Sequence, residues 1–96
     1  MSLSKKTNII KIRKKLDLLD NKLLNLIKKR TTLVKKILYN KSSKNQIVDK
    51  KRIKVVLKNI KKKSLRKNLD TKLTQMIWKG IIKSYINFEY RKFKKK

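Results

Sequence analysis

Cysteine, histidine, alanine and proline are missing from the 96 residues, and glycine occurs once. Without Cys or His there is no disulfide, no usual zinc ligand, and no Ser-His or Cys-His nucleophilic pair, which removes most hydrolase chemistry. With no Pro and one Gly, there are few points at which a helix must break. Long apolar runs are missing as well. Nowhere do the roughly 18 consecutive apolar residues of a membrane span occur, and Met1-Ser-Leu-Ser-Lys-Lys6 does not lead into the apolar stretch of an export signal. A cytoplasmic protein is therefore expected. The length suits one domain, residues 1–96, and a long helix in so short a chain needs a partner to cover it.

Acidic residues are scarce: 5 Asp and Glu stand against 32 Lys and Arg, a formal net charge of +27. One reading is a polyanion binder, a basic helical protein for nucleic acid whose affinity would fall steeply with salt. Another is codon bias, because Lys outnumbers Arg 27 to 5 beside abundant Ile and Asn, the residues of AT-rich codons. The lysines fall on every helical face, which makes nucleic acid the less favoured partner. On either reading, a field of this strength draws in a small dianion.

What is present is helical periodicity. Ile9, Ile12, Leu16, Leu19, Leu23, Leu26, Arg30, Leu33 and Ile37 recur at alternating spacings of three and four, a heptad seam over about four repeats. One helix is expected from Thr7 to Tyr39, a rod that cannot bury its stripe against itself. The polar stretch Asn40–Gln46 is expected as a loop. Asp49 is expected to cap a second helix carrying Ile53, Val56, Leu57 and Ile60, with Lys61–Ser64 ending the pattern. Asp70 is expected to cap a third helix. Its main stripe is Leu73, Ile77, Ile81, Ser84 and Phe88, and a neighbouring stripe is Trp78, Ile82, Tyr85 and Glu89. The basic tail, Arg91–Lys96, is expected to fray. No run alternates with period two, so the fold class is all-α: long, short and medium helices.

Several residues break these patterns. Arg30 occupies a seam position that calls for an apolar side chain, so either it snorkels outward or something negative meets it. If the first helix runs on, Lys41 follows three turns later on the same face. Arg13 precedes Arg30 by 17 positions, about 25 Å along one helix, too far for one small molecule. Pairing two long helices antiparallel removes that obstacle, although a solvated Arg13 needs no such explanation. Asp49 and Arg52 can be a cap with a surface ion pair. Glu89, the one glutamate, falls on an inward stripe, where it can be protonated and donate a hydrogen bond or pair with a lysine.

Taken together, Ile12-Arg13, Leu16-Asp17, Leu23 to Arg30, Leu33-Val34, Lys41 and Val48-Asp49-Lys-Lys-Arg52 resemble the all-helical class of chorismate mutase, over about residues 8–90. The resemblance implies an isomerase of aromatic amino-acid biosynthesis that converts chorismate to prephenate, with no metal or cofactor. It implies an intertwined helical homodimer in which the partner chain supplies Arg13. Arg13 and Arg30 would hold the substrate carboxylates. Lys41 and Glu89 would bond the ether oxygen, Glu89 when protonated, and Asp49 and Arg52 would position the ring end. Arg30, Lys41 and Glu89 would be catalytic. Two positions depart from the family's pattern. Ile53 stands where the family has a glutamate for the substrate hydroxyl, and Tyr85 stands where it has a serine, with Ser84 one residue early. The loop before Asp49 also lacks a common proline. An isochorismate pyruvate-lyase, similar in fold and pocket, is the nearest alternative, followed by the nucleic-acid binder.

Overall fold

In the computed structural model, which describes residues 3–94, the first helix, α1, spans Leu3–Tyr39. It begins four residues earlier than the heptad pattern alone indicates. Ser4, Lys5 and Lys6 contain nothing that stops a helix, and Thr7 lies inside it, its hydroxyl donating to the Leu3 carbonyl at 3.1 Å. At the other end, the Asn40 side-chain amide donates to the Lys36 carbonyl at 2.8 Å and the Asn40 N–H donates to Ile37 at 3.0 Å. These bonds satisfy carbonyls that a helix end leaves without partners.

A 3-10 turn, Lys44–Gln46, follows, then α2 over Lys50–Arg66 and α3 over Thr71–Lys92. No strand occurs among the described residues, so the fold is all-α. The chain divides into two compact units, one up to Val34 and one from Lys35 onward.

The first unit is the part of α1 up to Val34. None of its described side chains is buried, and the seam residues Ile12, Leu16, Leu19, Leu23, Leu26 and Leu33 are each between 52% and 59% exposed. In the second unit, α2 packs on α3 and a small core forms, with Leu38 and Ile47 buried.

Both helix starts in the second unit follow their sequence signals. Asp49 caps α2 by accepting the Arg52 N–H at 3.0 Å, and Asp70 caps α3 by accepting the Leu73 N–H at 2.9 Å, contacts worth about 1 kcal/mol each. The end of α2 differs. The helix passes Ser64 and stops at Arg66, where Asn68 adopts φ 55°. Leu69 N–H donates to Ser64 and Asn68 N–H donates to Leu65, at 2.9 and 3.2 Å. This is a Schellman closure with asparagine in the left-handed position that glycine usually fills.

The rotation of α3 departs from expectation in part. Leu73, Ile77 and Ser84 of the anticipated main stripe are exposed and Ile81 and Phe88 half-buried, while of the neighbouring stripe Trp78, Ile82 and Tyr85 are half-buried and Glu89 is buried. Polar contacts with α2 explain it. The Ser64 and Thr74 hydroxyls, both buried, lie 2.7 Å apart, and the Gln75 side-chain amide donates to the Leu57 carbonyl at 2.9 Å. Satisfying these groups turns Thr74 and Gln75 inward and carries Leu73 and Ile77 out. Nor do Arg91 and Lys92 fray: α3 includes both, and the Phe93 N–H donates to the Glu89 carbonyl at 2.8 Å. The last two residues of that tail, Lys95 and Lys96, lie outside the described residues.

Candidate active site

Lys41 sits just beyond α1 rather than on it, because the helix closes at Tyr39. The turn holds it there through a 3.0 Å bond from its N–H to the Leu38 carbonyl. Its ammonium donates to Glu89 Oε1 at 3.0 Å and to the Ile47 carbonyl at 3.4 Å. Glu89 reaches this point from the last turns of α3 and is buried. An unpaired charge in such a position is costly, so the two groups hold one another in place. The inward position expected for Glu89 and its pairing with a lysine are both found, and the lysine is Lys41.

Tyr85, one turn before Glu89, shares its inward face and meets Phe88 edge-on, ring centroids 6.2 Å apart. Ser84 points outward and is exposed. Lys41 also lines an open cavity of about 610 Å³, together with Gln46, Val48, Asp49, Lys50 and Lys51. Asp49 therefore belongs to a surface shared with Lys41. Its Oδ1 is engaged by the backbone of Arg52, and no ion pair joins the two side chains among the described residues. The surface pair expected for these two residues is absent, and what remains is the cap. Arg52 is exposed and Ile53 half-buried. In the N-terminal unit, Arg30 is half-buried and Arg13 exposed.

The structure thus brings Lys41 to Glu89 and places Lys41 and Asp49 on one cavity. Sequence reasoning missed Gln46, which organises the loop by accepting the N–H groups of Ser42 and Ser43 on its side-chain oxygen. The signal was available: Ser43-Lys-Asn-Gln46 has the spacing of a capping box. Lys50 and Lys51 were missed because nothing distinguishes them in so lysine-rich a chain.

A scan against protein families matches residues 12–90 to chorismate mutase type II. The chain belongs to that family. Searches of curated proteins and of solved structures return no match. The match includes Arg13, Arg30, Lys41, Asp49, Arg52, Tyr85 and Glu89, and it makes this chorismate mutase an isomerase that converts chorismate to prephenate. No helix among the described residues is long and apolar enough to cross a membrane.

Proposed function

We propose that this chorismate mutase is a single cytoplasmic domain, core residues 8–90, acting in aromatic amino-acid biosynthesis as an intertwined homodimer. Each site takes Arg13 from the partner chain. The observation that supports the site reading is the half-buried Lys41 ammonium, fixed by buried Glu89 beside a cavity that Asp49 also lines. The reaction is a unimolecular rearrangement: one C–O bond breaks, one C–C bond forms, and no proton is transferred. It needs a compact conformer and donors where charge develops.

In this reading Arg13 and Arg30 hold the two carboxylates through charge-assisted bonds, which keeps the substrate folded for bond formation. Lys41 stabilises the ether oxygen as it gains negative charge. Glu89, with Oε1 engaged by the Lys41 ammonium, holds that donor in position for the ether oxygen. Asp49 and Arg52 position the ring end, and Tyr85 takes the place of a serine beside a carboxylate. Apolar seam residues of α1 more than half exposed support the dimer, since a second copy is a self-complementary cover for such a stripe.

The test follows loss of chorismate absorbance with identification of prephenate. Wild type is expected to turn over. Arg30→Ala is expected to be inactive, and an exchanged mixture of Arg13→Ala and Arg30→Ala chains to regain about a quarter of the activity, because random pairing gives half heterodimers with one intact site of two. No recovery in the mixture would end the shared-site reading. Glu89→Gln removes the charge that fixes the Lys41 ammonium and is expected to lower kcat; an unchanged kcat would remove Glu89 from the site.

A further inference from the structure

The wall of the cavity beside Lys41 carries two more cations, Lys50 and Lys51. Their setting differs from that of Lys41, whose charge is matched by Glu89 at 3.0 Å. Neither Lys50 nor Lys51 makes an ion pair among the described residues. Asp49 is the one acidic residue lining that cavity, and one of its oxygens is occupied by the Arg52 N–H. The cavity therefore keeps a net positive charge that no group of its own cancels.

Their position in the fold is unfavourable for cations. Lys50 and Lys51 are the first two residues of α2, whose first turn contains no acid. The positive end of the helix dipole repels them there, and acids are the residues that stabilise such a turn. Charge at this point works against folding while facing a cavity that contains a proposed catalytic lysine.

We propose that Lys50 and Lys51 are substrate-capturing residues of this enzyme, drawing the dianionic substrate into the cavity beside Lys41 and Asp49 through charge. This rests on the site reading given above. The two lysines act on binding and not on bond rearrangement, so their removal is expected to raise KM and leave kcat in place. Exposed charges of this kind are felt within a Debye length, which falls from roughly 20 Å at about 20 mM salt to roughly 7 Å at about 200 mM.

The experiment compares wild type with Lys50→Ala/Lys51→Ala and with Lys58→Ala/Lys62→Ala, which removes the same charge from α2 at positions that do not line the cavity. Chorismate turnover and prephenate binding by calorimetry are measured at low and high salt, with thermal unfolding alongside. For the first pair, KM and the prephenate Kd are expected to rise roughly three- to tenfold at low salt and converge on wild type at high salt. Its Tm should be unchanged or higher, since the helix start loses two repelled charges. The second pair is expected to keep wild-type KM and Kd. Restoring the charge with arginine at both cavity positions should restore both. Equal rises in the two pairs, or no rise in the first, overturn the proposal while the enzyme reading stands; absence of turnover by wild type overturns both.

Discussion

The two units of the chain bury their side chains in opposite ways. Up to Val34, α1 carries a regular apolar seam and none of its described side chains is buried. From Lys35 onward the apolar pattern is less regular, yet Leu38, Ile47, Ser64, Thr74 and Glu89 are all buried, three of them polar and each of those hydrogen-bonded. A regular stripe is no guarantee of a core within the chain. A few satisfied polar groups, by contrast, fix the rotation of one helix on another, because each leaves a penalty if turned to the wrong side.

Leu23→Glu offers the largest test of this contrast. If the seam is covered by a second copy, a charge placed there is expected to dissociate the dimer and lower turnover by about a hundredfold or more. Sedimentation and prephenate formation would show it, and the concentration dependence of Tm in wild type would be lost. If the seam is solvated, the same change shifts stability by less than about 0.5 kcal/mol and leaves mass and activity alone.

A smaller effect is expected within the second unit. Ser64→Ala deprives the buried Thr74 hydroxyl of its partner at 2.7 Å, leaving a 3.3 Å contact with the Thr71 carbonyl. A loss of about 1–2 kcal/mol in urea unfolding is expected. A neutral result would show that this pair does not set the rotation of α3. Smallest is Asp70→Ala, which removes the α3 cap and should cost about 1 kcal/mol without altering KM.

Local signals made much of this legible in the sequence. The seam marked α1, and Asp49 and Asp70 marked two helix starts, because caps depend on residues close in the chain. The end of α2 was not legible: Ser64 looks like a polar stop, and its burial depends on Thr74, ten positions on. The face of α3 was legible only in part, for the same reason. Leu73 and Ile77 are apolar and regularly spaced, but the groups that select the inward face belong to another helix. At the site, the resemblance singled out Lys41 and Glu89 among otherwise ordinary residues. That Lys41 leaves the helix and that Gln46 organises its loop depended on how α1 terminates.

The two bonds made by the Lys41 ammonium also bear on the entropy of turnover. A free lysine side chain samples many rotamers, worth roughly 2 kcal/mol at room temperature. Here Glu89 and the Ile47 carbonyl select one arrangement during folding. In the proposed site the side chain need not be ordered again each time a substrate arrives, so the activation entropy is expected to stay close to that of the substrate's own folding. Replacing Ile47 leaves this contact intact, since its carbonyl belongs to the main chain. Replacing Glu89 releases the lysine, which makes the activation entropy, obtained from the temperature dependence of kcat, a direct report on that constraint.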